Sequence, residues 1–536
     1  MASPIIQIQE CLNQFQNFVL NGGAGSGKTF SLEQVIDLVH RDNPYAKIAC
    51  ITYTNVAADE IKKRIPIDNL WVSTIHEFLW SNIKSYTKNM KSELKELVET
   101  KKAIRSSEDI DWNKIAKIQY KEYKKLAEGI ISHDEVLKLS VWMISKYPLL
   151  QKIIGDKFQY LFIDEYQDTS KEVIDVLLDV YSYPNRVIGL FGDPMQSIYS
   201  SGIGNVENHI QNGKITNIIK QDNYRCSQRV IDFINQIRTD GIQQQPALKD
   251  ENGKILNQEG SVYFVYTNNH NISIEQVKKM GIFSDWDFKN PEETKELYLT
   301  HRLIASQNKF FNLFNSTNRD DLIGNNKDKL ILHLLRIASI IDLYQHRKYN
   351  ELIKLTDLKI RKAQDKVILK ENIDSLLQEK GNTIERAIKL ADEFNLVKID
   401  DNISSYLYRV SEEEWKNDLY EHLKSVSFEE VMNFYRYEND TSIYSTQHGV
   451  KGAEFKNVLV VLDNGNWNSY NFANLFTNKG ASIERTKKLF YVACSRAKKN
   501  LVIYMDSPSR DVLEGVKKWL PERNIILMKL QENGDV

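Results

Sequence analysis

The octet Gly22, Gly23, Ala24, Gly25, Ser26, Gly27, Lys28, Thr29 has the form G-x-x-x-x-G-K-[ST]. Its glycines permit a loop whose backbone N–H groups turn inward onto phosphate oxygens, at a helix N-terminus whose dipole favours anions. Lys28 would neutralise the β and γ phosphates of a bound nucleotide, and the Thr29 hydroxyl would ligate Mg²⁺. A glycine-rich turn that binds nothing is the plain alternative. The flanks argue against it, because an apolar run at 17–20 leads in and an amphipathic stretch at 30–40 leads out.

A phosphate loop needs an acid to complete its metal site. YLFIDEYQDTS places Asp164 at the end of another apolar run, with Glu165 beside it. Asp164 would hold Mg²⁺, often through water, and Glu165 would polarise the attacking water. Adjacent carboxylates at a strand end are poor structural choices, since each is costly if buried unpaired. A further run ends in LFGDPMQSIY and offers Gln196, a neutral side chain able to sense the γ-phosphate.

These residues require β/α elements to hold them. Strands are expected at 17–20, 47–52, 160–163 and 186–191, with helices at 30–40 and 55–65. Further strands are expected at 262–266, 296–300, 458–462 and 501–505. Between them, 81–155 and 305–437 carry helical periodicity, as in Leu94, Leu97 and Val98 or Leu137, Val141 and Ile144. Sheet-forming sequence interrupted twice by helical blocks reads as insertions into two α/β domains.

The chain has 536 residues, 42% hydrophobic and 27% charged, so it is globular, and its length suggests about three or four domains. Its formal charge of −1 excludes a uniformly basic nucleic-acid coat but not a local basic channel. Cys11, Cys50, Cys226 and Cys494 are scattered, without zinc-ribbon or iron–sulfur spacing, as expected in a reducing cytosol. Neither a basic, then apolar leader nor a run of ~18 apolar residues occurs. A cytoplasmic protein with no membrane partner is expected.

Further motifs then fall into order. GGAGSGKT resembles motif I of the superfamily 1A helicases of the UvrD/Rep type, and ITYTNVAADEIKKRI at 51–65 resembles motif Ia. STIHEF (73–78), DEYQDTS, GDPMQSIY and DNYRCSQRVI (222–231) resemble the next four. STQHGVKGAEFKNVLVV (445–461) resembles motif V and ERTKKLFYVACSRAK (484–498) motif VI. The resemblance covers nearly the whole length. It implies an α/β fold of two RecA-like P-loop domains with parallel sheets, each interrupted by a mainly helical insertion. The first would comprise 1–80 and 156–215 around an insertion at 81–155. The second would comprise 216–304 and 441–536 around a reduced insertion at 305–440.

The resemblance also implies roles. Arg225 and Arg496 match arginine fingers, which suits a planar guanidinium that meets two phosphate oxygens as charge develops. Either arginine taken alone could be half of a surface ion pair, and for Arg496 that is the better reading until the motif order reverses it. Tyr224 matches a residue that stacks on adenine, with ordinary core packing as its alternative, and Glu454 matches one that contacts ribose. A glutamine upstream of motif I reads the adenine edge; Gln7 and Gln9 are both candidates, and Gln9 is preferred. Single-stranded DNA would be tracked by Tyr53, Thr54, Asn55, His76 and Tyr199 in the first domain and by Thr446 and His448 in the second. Packing beneath the following helix is the alternative for Tyr53.

The chain departs from the family after QSIY, where SSGIG at 200–204 replaces the usual Trp and Arg. One stacking platform is thereby lost, at ~1–3 kcal/mol per base. Trp467 is a candidate replacement. Residues 81–150 carry 14 Lys+Arg against 10 Asp+Glu, a surplus that suits contact with duplex or strand phosphates and equally a solvated helical surface.

The resemblance implies an ATP-dependent DNA translocase or helicase of 3′–5′ polarity, acting on single-stranded or partly duplex DNA. The alternative is a nucleotide- or DNA-sensing ATPase switch that regulates a partner nuclease without processive unwinding. The lost Trp favours the switch, whereas the full set of acids and arginines favours the motor. The 40 residues after Arg496 are too few for a nuclease domain, so cutting would come from another chain. The short, lysine-rich second insertion is similar to that of the compact helicase subunits of Gabija-type anti-phage systems, which have a nuclease partner.

Overall fold

The structure is a computed structural model. It describes residues 3–529 except 53, 200, 250–252, 257–258, 269–271, 325–326, 379–381, 409–413, 440, 464–468 and 481. Tyr53, Ser200 and Trp467 therefore lie outside the described residues. The chain divides into two compact units. One comprises 1–262, 467–500 and 514–520, and the other 263–466, 501–513 and 521–536.

In the first unit, α1 (Pro4–Asn13) precedes β1 (Phe18–Gly22), α2 (Lys28–Asp42), β2 (Ile48–Thr52) and α3 (Asn55–Arg64). Then come β3 (Leu70–Thr74), α4 (Ile75–Ile83), β4 (Tyr160–Asp164), β5 (Val187–Gly192) and β6 (Thr216–Lys220). The order is β3-β2-β4-β5-β1-β6, and every pairing is parallel. Parallel strands covered on both faces need continuous apolar runs. Accordingly, all residues of β1, β2, β4 and β5 are buried.

Strand alternation divides the core between two faces. Val19, Ile51, Leu161 and Ile163 face one cluster, with Phe78 and Leu79. Phe18, Leu20, Ile48 and Phe162 face another, with Leu32, Val35 and Ile36 of α2. The same unit contains α5 (Gln228–Ile237) and α6 (Ile483–Cys494).

The second sheet contains β7 (Ser261–Thr267), β8 (Thr294–Tyr298), β9 (Tyr444–Thr446), β10 (Phe455–Leu462), β11 (Ala497–Asp506) and β12 (Ile525–Leu527). Its order is β9-β8-β10-β11-β7-β12. Helices fill much of 301–438, built around Lys329–Gln345, whose Leu334, Ile337 and Ile341 pack with Ile388, Leu423 and Phe434.

The α/β class with two parallel six-stranded sheets and substantial helical content agrees with the expectation. Helix α2 begins at Lys28 rather than 30, because the glycine loop runs directly into its first turn. The edge strands β3, β6, β9 and β12 went unforeseen. They are short and only partly buried along their length, so they lack the continuous apolar run of a central strand. The block 81–155 is also less helical than its periodicity suggests. It holds the short strands Gln119–Tyr120 and Ile130–Ile131 and little helix over the charged stretch 101–118. Among the described residues, no helix is long and apolar enough to cross a membrane.

Candidate nucleotide and nucleic-acid site

In a parallel α/β sheet, ligands collect beyond the carboxyl ends of the strands. Most candidate residues of the first unit lie there, directly after its strands; Gln7 and Gln9, in α1, and Arg496, after α6, do not follow a strand of this sheet. The phosphate loop follows β1, Thr54 and Asn55 follow β2, and His76 follows β3. Asp164 ends β4 with Glu165 next, Gln196 and Tyr199 follow β5, and Tyr224 and Arg225 follow β6.

The loop is narrow. Gly25 and Gly27 take φ of 76° and 73°, in the region that favours glycine. A Cβ on Gly23 would lie 2.3 Å from Gln244, and one on Gly25 would lie 2.6 Å from Arg225. Lys28 is buried, and its Nζ donates to the carbonyls of Gly22 (3.0 Å) and Gly23 (3.3 Å), which holds the ammonium over the loop. Gln244 and Asn223 both donate side-chain amides to the Ala24 carbonyl, at 3.0 and 3.1 Å.

Thr29 Oγ1 donates to Asp164 Oδ2 at 3.5 Å. Burial, and then repulsion from Glu165, push the Asp164 carboxyl up to about 7, with Lys28 offsetting part of the rise. A carboxylate so placed lacks positive charge, and a hydroxyl and a carboxylate are the hard oxygen donors that Mg²⁺ takes. The donor set therefore fits Mg²⁺. Among the described residues no cluster of three or more His, Cys, Asp or Glu suited to a metal forms, so phosphate and water would complete the shell. Glu165 holds φ 51°, a left-handed conformation for a non-glycine residue, and accepts a short hydrogen bond from Gln167.

Arg496 is 1% exposed, so it is not half of a surface ion pair. Its Nε donates to the Val492 carbonyl (2.9 Å) and its Nη2 to Gln196 Oε1 (3.4 Å). Burial, and then Arg225, lower its pKa to about 10, and Glu165 acts in the opposite sense. Arg225 donates to the Ser495 carbonyl at 3.4 Å. The side chain of Asn223 accepts from the N–H groups of Arg225 (2.9 Å) and Cys226 (2.8 Å), fixing the turn that presents Arg225.

A buried network lies behind these groups. Asp193 accepts from Gln196 (3.0 Å), from Arg238 (2.9 and 3.3 Å) and from the Tyr491 hydroxyl (3.2 Å). Tyr491 in turn accepts the Ala24 N–H at 3.0 Å. Burial raises the proton affinity of Asp193, but Arg238, Lys28 and the hydrogen bond from Gln196 together hold the carboxyl below its usual value. Arg238 and Gln244 escape motif reading, because they follow α5 in a stretch without periodicity. Asn223 was legible in principle, since an Asx residue two positions before an arginine can cap its own turn.

Tyr224 is 44% exposed, which excludes ordinary core packing. It walls an open pocket of about 500 Å³ together with Ile5, Phe30, Gln34 and Lys220. Neither Gln7 nor Gln9 lines it. Ser3 and Pro4 do, and Gln7 follows them by one helical turn on the same face.

Thr54 caps α3 by accepting the Ala57 N–H (3.2 Å), and Asn55 beside it is exposed. Register pairs Thr52 with Thr74, so the Thr54 turn and His76 emerge from neighbouring strand ends. The His76 ring lies 4.7 Å from that of His133, and burial, then His133, lower its pKa. Tyr199 is 36% exposed. In the second unit, Thr446 ends β9 and accepts the Gly449 N–H at 2.9 Å, His448 follows, and Glu454 is exposed just before β10.

A family model described as an AAA domain matches residues 7–202. The chain is 26% identical to the Gabija protein GajB of Bacillus cereus (strain HuB5-5), over 92% of this chain and 94% of the relative. A second Gabija protein GajB, from Bacillus cereus (strain VD045), is 24% identical over 95% and 97%. The ATP-dependent DNA helicase PcrA of Bacillus subtilis (strain 168) is 24% identical over 42% of this chain and 38% of the relative. Motifs, fold and comparisons agree: the chain resembles the UvrD-like superfamily 1 helicases and is similar to GajB over more than nine-tenths of its length.

Proposed function

We propose that the protein is an ATP-hydrolysing DNA translocase or helicase of 3′–5′ polarity. The observation that carries this reading is the convergence of Lys28, Thr29, Asp164, Glu165, Gln196, Arg225 and Arg496 at one sheet edge. A phosphate loop alone serves binding, whereas an added acid pair, amide and arginines serve turnover. Glu165 takes the proton of the attacking water, Gln196 senses the γ-phosphate, and Arg225 and Arg496 stabilise charge developing on it. Thr29 and Asp164 would hold Mg²⁺, which would supply positive charge against the phosphates. Tyr224 stacks on adenine, Glu454 meets ribose, and Gln7 or Gln9 reads the base edge. Thr54, Asn55, His76, Tyr199, Thr446 and His448 grip the strand, with Tyr53 assigned by motif alone. The RecA-like domains and helical insertions are assigned along the segments given by the motifs, except that β6 at 216–220 completes the first sheet.

The likeness to GajB supports a place in anti-phage defence beside a partner nuclease, in the cytoplasm. The test is ATP hydrolysis measured without nucleic acid and with single-stranded DNA, RNA or duplex DNA. Stimulation by single-stranded DNA supports the reading, and hydrolysis indifferent to all three contradicts it.

A further inference from the structure

Lys220 is the last residue of β6, and sheet register sets it beside Gly22, the first glycine of the phosphate loop. The residue is only 6% exposed. Its Nζ donates to Ser31 Oγ at 2.7 Å and to the Gly27 carbonyl at 3.4 Å, and it stands 5.6 Å from the centre of the Tyr224 ring. No carboxylate of the described residues makes an ion pair with it. Burial disfavours its charge; Asp222 offsets part of that, and Lys28 adds a smaller opposing push. A buried ammonium that makes no direct ion pair and is only partly offset by a nearby carboxylate is costly, and an anionic ligand removes the cost.

The position indicates which anion. Lys28 lies over the carbonyls at the start of the loop. Lys220 lies at its end, against Gly27 and Ser31 in the first turn of α2, where the loop opens into the pocket walled by Phe30 and Tyr224. A nucleotide with its base on Tyr224 and its terminal phosphates at Lys28 brings its first phosphate past Lys220. We propose that Lys220 is a second phosphate-binding cation of the nucleotide site, meeting the α-phosphate end of the chain.

This inference rests on the nucleotide reading above. The test is competition by ATP, ADP and adenosine against a fluorescent ATP analogue, using the full chain and its Lys220→Met and Lys220→Arg variants. Lys220→Met weakens ATP and ADP alike, by about tenfold or more for a lost charge-assisted contact, and leaves adenosine unchanged. Lys220→Arg retains most of the affinity, which separates charge from packing. An equal loss for adenosine would make Lys220 a wall of the base pocket, and unchanged ADP affinity would remove it from the phosphates. Either result overturns the inference. If the unaltered chain binds neither ATP nor ADP, the nucleotide reading fails, and this inference fails with it.

Discussion

At the scale of residues, the site separates groups that touch the reaction from groups that hold them. Glu165 pays for its left-handed backbone with local strain, of order 1–3 kcal/mol, a cost found where function fixes a side chain. Glu165→Gln keeps the shape but cannot accept a proton, so ATP binding persists while turnover falls by roughly 10²-fold or more, checked by nucleotide affinity beside steady-state hydrolysis. Arg238 is a holding group. Arg238→Met leaves Asp193 buried without its guanidinium and lowers stability by about 3–5 kcal/mol. Adding Asp193→Asn recovers part of that loss in denaturant unfolding, because the stranded charge is gone. The reacting groups were legible because phosphate chemistry demands fixed types at fixed spacing within one segment. Arg238 and Tyr491 were not, since their partner Asp193 lies far off in sequence and a salt bridge imposes no local pattern.

At the scale of elements, central strands announce themselves through unbroken apolar runs and edge strands do not, so β6, with Lys220 at its end, was missed. Loop 201–204 turns back onto the acid-bearing segment, with Ile203 and Gly204 donating to the carbonyls of Thr169 (2.7 Å) and Gln167 (3.1 Å). In the second unit, His301 at the start of helix His301–Gln307 shares a 2.8 Å hydrogen bond with Tyr437 of helix Phe428–Glu438. Burial, then Arg319 and His448, lower its pKa from 6.5 to about 4. Between those values the unfolded chain binds the proton and the folded chain does not, so stability falls as pH drops from 6.5 towards 4. The loss is on the order of 1–3 kcal/mol after allowance for partial exposure. His301→Asn flattens this limb of a melting-temperature profile; an unchanged slope would show that the ring is not held neutral.

At the scale of the whole molecule, two parallel sheets could be expected from β/α alternation, because each strand must be followed by a covering helix. The lysine-rich connections were harder to read, since solvated helix and irregular chain share a composition. Arg225→Ala and Arg496→Ala are each expected to lower turnover by about 10³-fold while shifting nucleotide affinity much less, because such groups act mainly on the transition state. The central claim is that hydrolysis moves the protein along a strand. The most direct measurement is strand separation, with ATP and Mg²⁺, of duplexes carrying a 3′ single-stranded tail, a 5′ tail or none. ATP-dependent separation of the 3′-tailed duplex alone is the predicted result. ATP hydrolysis without separation of any duplex would contradict the claim and make the protein a nucleotide-driven switch.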